Sequence, residues 1–191
     1  MKDMIERLAS KFNIKDINEH KSNQVFFTAE KIDIEGVILY LKEFEKYDQL
    51  TMISCVDYIE DGKFQLTYLL RNYDLNNDAC IRVYIDRENP TMTSINELWA
   101  AARVYERELK EMFGIDFPGC PRVDDPFVLE GWDTIPPMRK DFDTKKYSEE
   151  TYFPREGRTK KDPTEQMAEK MYPVEEEVKK SITKVFRDNS K

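Results

Sequence analysis

The apolar pattern of this chain predicts an α+β two-layer sandwich, with a mixed sheet of about four strands and helices on one face. Three observations carry that expectation. Apolar residues alternate with period two through Phe64, Leu66, Tyr68 and Leu70, and again through Ala79, Ile81, Val83 and Ile85. Helical spacing brackets those runs, as in Ile34, Val37, Ile38, Leu41 and Phe44. Turn chemistry separates the strand runs, with Asp61-Gly62 the clearest hairpin signal.

Taken in order, Asp3 to Lys11 is expected to form a short helix with Met4, Ile5 and Leu8 inward. Gln24 to Ala29 reads as a strand. Asp33 is placed to cap a helix running to Lys46, and Leu50 to Tyr58 is the next strand. After the Asp61-Gly62 turn comes the alternating run to Leu70, a polar loop from Asn72 to Asp78, and a further strand to Ile85. Ser94-Ile95-Asn96-Glu97 has the pattern of a capping box opening the last helix of the domain. That helix carries Ile95, Leu98, Trp99, Ala102, Tyr105, Leu109, Met112 and Phe113 on one stripe. Gly114 is suited to the left-handed position that ends it, with Ile115 folding back on the last turn. The expected order is α-β-α-β-β-β-α.

One residue on the stripe is charged. At about 100° per residue, Glu106 lies within about 20° of Trp99 and Phe113. A buried, unpaired carboxylate would cost several kcal/mol, so a partner or a polar interface is required. Arg103 and Lys110 lie one turn away on either side and would serve if Glu106 slid to the stripe's edge. Arg139 is the distant candidate, because a guanidinium holds a carboxylate through two hydrogen bonds. It follows the stiff Pro136-Pro137 step, while Phe117-Pro118-Gly119-Cys120-Pro121 forms a proline-set loop in between.

Composition narrows the classes of function. The chain has 191 residues, 36% of them charged, and a net charge of −8. That balance argues against nucleic acid as a partner. No apolar run approaches the roughly 18 residues of a membrane span and no secretory signal opens the chain, so membrane association is expected only through partners. Cys55, Cys80 and Cys120 are scattered and odd in number, which suggests neither an iron–sulfur nor a zinc site. Cys55 and Cys80 are expected as small core residues, and Cys120 as the thiol that could face a partner. His20 is the single histidine, and the 6 glycines form no phosphate loop. No catalytic, cofactor-binding or metal-ligating residues are expected.

Ala101 to Gly119 closely resembles the signature of the 30-kilodalton subunit family of respiratory NADH dehydrogenase (complex I). The same module occurs in complex I-like membrane-bound hydrogenases, formate hydrogenlyase and related ferredoxin-linked complexes. The matching elements are Glu106-Arg107-Glu108, Met112 to Ile115 including Phe113 and Gly114, Gly119-Cys120-Pro121, and Pro137-Met138-Arg139-Lys140-Asp141-Phe142. Upstream, Val56-Asp57-Tyr58, Phe64 to Leu70 and Met92 to Ile95 resemble the family's paired strands and helix entry. The resemblance runs from about Met52 to Phe142. Two positions depart from it: Cys120 stands where the family usually has histidine, and Leu109-Lys110-Glu111 alters an acidic-aromatic pair.

The resemblance implies a non-catalytic structural subunit of the peripheral arm of a membrane-bound electron-transport complex. Such a chain packs against a catalytic large subunit and a small iron–sulfur subunit on the cytoplasmic face. It implies no cofactor in this chain; iron–sulfur clusters, and nickel–iron in hydrogenase-type members, belong to the partners. Glu106, Arg107, Glu108, Arg139, Lys140 and Asp141 would hold the proline-rich loop in shape against them. The two departures favour a hydrogenase-type or ferredoxin-linked branch, the NADH:quinone type being the alternative. An independent hydrolase using Glu106 and Glu108 is disfavoured, since side chains about 200° apart on a helix do not converge. The domain is expected over residues 1–142. A charged extension follows over 143–191, with a short helix from Thr164 to Met171 and an apolar stripe of Val174, Val178, Ile182, Val185 and Phe186. That stripe is expected to lie on neighbouring subunits.

Overall fold

The computed structural model describes residues 1–151. The elements are α1 (Lys2–Ala9), β1 (Ile14–Lys21), β2 (Gln24–Ala29), α2 (Ile34–Glu45), β3 (Gln49–Tyr58), β4 (Lys63–Asn72), β5 (Asn77–Asp86), α3 (Ala102–Phe113) and α4 (Thr144–Thr151). The chain divides into two compact units, Met1–Thr144 and Lys145–Lys191.

The fold is the expected α+β class, but the sheet has five strands, ordered β1-β2-β5-β4-β3. All pairs are antiparallel except β2 with β5, which makes the sheet mixed. The additional strand is β1, whose sequence IKDINEHK has no apolar alternation because nearly all of it is exposed. It is held by ladder hydrogen bonds to β2, with two register shifts and Asp16 at φ 50°, features that blunt a sheet edge. Alternation detects a buried face, so a strand without one leaves no such trace.

Val25, Phe27, Phe64, Leu66, Tyr68, Leu70, Ile81 and Val83 line one face of the sheet and are fully buried. Met4, Ile5 and Leu8 of α1, and Ile34, Val37, Ile38 and Leu41 of α2, join the same core. Phe44 does not: it is 72% exposed and stacks on Tyr40 with ring centroids 5.0 Å apart. Asp33 precedes α2 but makes no capping side-chain hydrogen bond; Glu30 O and Asp33 O order that first turn through backbone bonds instead. The β3–β4 hairpin turns through a 3₁₀ turn at Ile59–Asp61, closed by Gly62 at φ 63°.

The last helix starts later than the capping-box pattern suggests. Residues 95–101 form successive turns, with Leu98 N–H and Trp99 N–H both donating to Ile95 O and Ala102 N–H to Trp99 O. Those turns keep the apolar spacing of a helix, burying Ile95 and half-burying Leu98 and Trp99. α3 then buries Ala102, Glu106, Leu109 and Phe113. It ends as expected at Gly114, φ 78°, with Ile115 fully buried.

α4 arises in a stretch with no apolar periodicity. It has no buried residue, and Lys146 and Glu150 lie 4.0 Å apart at an i,i+4 spacing that favours helix. The helix expected from Thr164 and the stripe from Val174 to Phe186 lie outside the described residues. Among the described residues, no helix is long and apolar enough to cross a membrane.

Candidate functional site

Past Gly114 the chain runs to Phe142 with almost no regular structure, and three acids of the sheet and of α3 hold it in place. The first is Glu106, the charged residue on the apolar stripe. It is fully buried, and its partners are not the arginines expected for it. Glu106 Oε2 accepts from Ser94 Oγ at 2.6 Å and Oε1 from Ile95 N–H at 2.9 Å. Ser94 Oγ in turn accepts from the Asn96 backbone and side-chain N–H groups, and Asn96 Nδ2 donates to Gly119 O at 2.9 Å. Local donors satisfy the carboxylate because residues 94–96 turn their N–H and O–H groups inward over α3. Using Ser94 this way removes it as a cap for Glu97. Arg103 is exposed and Arg139 is engaged elsewhere.

The backbone joins the same region. Segment 90–94 lies alongside 116–118, with Met92 N–H donating to Asp116 O and Asp116 N–H to Pro90 O, each at 2.8 Å. Cys120 is therefore drawn inward. It is buried, not the partner-facing thiol expected, and its own burial, then the neighbouring Glu106 carboxylate, pushes it up to about 12.

The second acid is Asp57, at an inward position near the end of β3. Arg87 grips it from just past β5, with Nε donating to Oδ1 at 2.9 Å and Nη2 to Oδ2 at 3.1 Å. Lys140 N–H adds a bond to Oδ2 at 2.9 Å, and Arg87 Nη2 also donates to Asp141 Oδ1 at 2.7 Å. Burial acts to raise the Asp57 carboxyl, but the Arg87 guanidinium and the Lys140 N–H outweigh it and hold the group below the usual range. Arg139 Nη2 donates to Arg87 O at 3.0 Å, and both guanidiniums lie over the Phe64 ring. The Pro137-Arg139-Lys140-Asp141 element is thereby fastened to the end of the sheet.

The third is Glu111, whose two oxygens accept the backbone N–H groups of Phe127, Val128 and Leu129 at 2.6, 2.9 and 3.2 Å. Burial would raise this carboxyl too; the three N–H donors more than compensate and lower it. Arg107 lies over the Phe127 ring, and Lys110 bridges Asp116 and Asp124. Met138 N–H donates to Met112 O, bringing Pro136 so close to Gly114 that an added Cβ would sit 3.2 Å from its ring.

Of the residues singled out by sequence, Gly114, Arg139, Lys140 and Asp141 thus belong to the fastening of this segment, Pro137 lies within it, and Phe113 packs in the core with its ring centroid 5.9 Å from that of Phe64. Glu106 and Cys120 form the buried cluster at the start of the segment, linked to it through Ser94, Asn96 and Gly119 O. Glu108 is half-buried, and its side chain makes no hydrogen bond or ion pair among the described residues. Asp57, Arg87 and Glu111 were missed as site residues. A signal existed for Asp57, an acid at the inward position two after Cys55, just as Glu106 is an acid on an apolar stripe. No local pattern marks Arg87 or Glu111, whose partners lie 16 to 54 residues away.

Buried acids that accept backbone N–H groups hold an irregular segment of this α+β domain in one shape. This chain belongs to the family described as respiratory-chain NADH dehydrogenase, 30 Kd subunit, whose sequence profile matches residues 27–148. Among curated proteins it is 35% identical over 97 residues to an NADH-quinone oxidoreductase subunit of Roseiflexus castenholzii, covering 50% of this chain and 55% of that one. The corresponding NADH-quinone oxidoreductase subunit of Moorella thermoacetica is 35% identical over 107 residues, covering 53% and 68%. The chain spans about half the length of the first of these relatives. In fold it is similar to a chain of an archaeal membrane-bound sulfane sulfur reductase, with a TM-score of 0.72, 22% identity, and coverage of 84% of this chain and 97% of that one.

Proposed function

We propose that this chain is a non-catalytic structural subunit of the peripheral arm of a complex I-like membrane-bound redox complex, packing against a catalytic large subunit and a small iron–sulfur subunit at the cytoplasmic face. The observation that carries the reading is the use of its acids. Both oxygens of Glu106, Asp57 and Glu111 accept hydrogen bonds from the fold itself, most of them from backbone N–H groups. Carboxylates bonded in this way position a segment of the chain. The positioned segment carries exposed Val128, Ile135 and Met138, side chains suited to burial against another chain. The hydrolase alternative loses its basis, because substrate cannot reach a fully buried Glu106.

The hydrogenase-type or ferredoxin-linked branch is supported by Cys120 in place of the family's histidine. The NADH:quinone branch is supported by the names of the curated relatives, which are NADH-quinone oxidoreductase subunits. In either branch electrons pass through the partners, and this chain binds no iron, nickel, flavin or nucleotide. Affinity purification of the tagged chain with mass spectrometry tests the reading. The expected result is stoichiometric recovery of a hydrogenase-like or quinone-type large subunit and an iron–sulfur subunit. Stoichiometric metal or a flavin spectrum in the isolated folded chain would defeat it.

A further inference from the structure

The helices of the unit Met1–Thr144 pack on one face of the sheet, and no described element of that unit covers the other. Strand register places Met52, Leu69, Cys80 and Phe26 side by side across four strands on this second face. The next row on that face is polar, Ser54, Thr67, Arg82 and Thr28, and beyond it Val56 and Tyr84 flank Gln65. Met52, Val56 and Tyr84 are 41%, 44% and 40% exposed, although apolar or aromatic. Exposed apolar and aromatic side chains on both sides of a polar row mark a sheet surface meant to be covered.

The face also carries a charge that identifies what covers it. Arg82 pairs across the ladders with Thr67 and Thr28, and its guanidinium lies 4.7 Å from the Phe26 ring centroid. Among the described residues it meets no carboxylate, whereas Arg71 on the same face is paired with Asp78 at 2.9 Å. We infer that the open face of the sheet docks an amphipathic helix of another protein chain, one that presents an Asp or Glu to Arg82 from within an apolar stripe. In folds that mix helices with a sheet, helices cover the sheet's faces, and a helix with an acid set in its apolar stripe matches an arginine flanked by apolar rows. A second copy of this chain fits poorly, because a two-fold interface centred here would bring Arg82 against Arg82. The inference rests on the reading of the chain as an assembly subunit and adds to it a second interface, apart from the 115–142 segment.

The test uses the full chain in its assembled complex, with a photo-crosslinking benzoylphenylalanine at Tyr84. The expected adduct is to a different chain, on a helical peptide containing an acid. Arg82→Lys should keep the adduct yield within about twofold, and Arg82→Glu should lower it about tenfold or more by placing like charges together. Val56→Lys, at an exposed position, should lower it independently of the arginine. Melting temperatures of the isolated variants close to wild type show that the loss is not one of folding. Adducts confined to residues 152–191 of this chain or to a second copy overturn the inference, as does an unchanged yield in Arg82→Glu. A complex that assembles normally but gives no inter-chain adduct overturns the inference alone. Recovery of the chain with no other subunit overturns the assembly reading with it.

Discussion

Replacing Asp57 by Asn preserves size and removes the charge, turning one acceptor into a donor. The new amide faces Arg87 Nε, Arg87 Nη2 and Lys140 N–H, all donors, so at least one contact becomes repulsive. Breaking a buried charge pair by changing one partner costs about 3–5 kcal/mol. Arg87 keeps its bond to Asp141, which is 39% exposed, so the lower end of that range, about 3 kcal/mol, is expected. For a chain of this size that is a drop of about 6–12 °C in Tm. Urea unfolding of wild type, Asp57→Asn, Arg87→Met and the double variant measures it, with the cycle isolating the coupling. The pH dependence adds a second readout. Because the folded-state pKa of Asp57 is depressed, its contribution is complete above the unfolded carboxylate value, ordinarily 3.8, and is lost as pH falls through the folded value. The gap between wild type and Asp57→Asn should therefore be constant near neutrality and close in acid. A coupling below about 0.5 kcal/mol, or a gap that widens in acid, would refute the account of Asp57 as the fastening point.

Glu106→Ala should destabilise the domain by about 3 kcal/mol, since it leaves the Ile95 N–H unpaired in the interior and opens a cavity; a midpoint within experimental error of wild type is the contrary result. Glu111→Ala should cost about 1–3 kcal/mol and accelerate hydrogen exchange at the amides of Phe127, Val128 and Leu129 while leaving the sheet amides protected; uniform acceleration throughout would mean the acid has no local role. The three cysteines are all free, and burial raises Cys55 and Cys120 to about 12 and Cys80 to about 11. None should react readily with Ellman's reagent near about pH 8 in the native state, and all three should react in denaturant.

The α+β class, β2 to β5, α1, α2 and the end of α3 at Gly114 were readable because each buries one face, and burial writes a period into the local sequence. Glu106 stood out for the same reason, as an acid where that period calls for an apolar side chain. Its partner did not. Sequence spacing ranks arginines by charge and reach, but folding brought Ser94 Oγ and Ile95 N–H closer, and a backbone N–H carries no residue identity to search for. Edge strand β1 was missed because its stability comes from the ladder to β2 and not from a buried face. Phe44 was misplaced because a helix's angular pattern does not say where the sheet beneath it ends. Cys120 was read from its loop as available to a partner, yet the bonds of 90–94 with 116–118 draw that loop inward. Asp57, Arg87 and Asp141 become one network only when β3, the end of β5 and the segment after Pro137 meet in space. Periodicity records which face of an element is buried; which groups meet across that burial depends on how the elements pack, and here that packing was settled by contacts up to 83 residues apart.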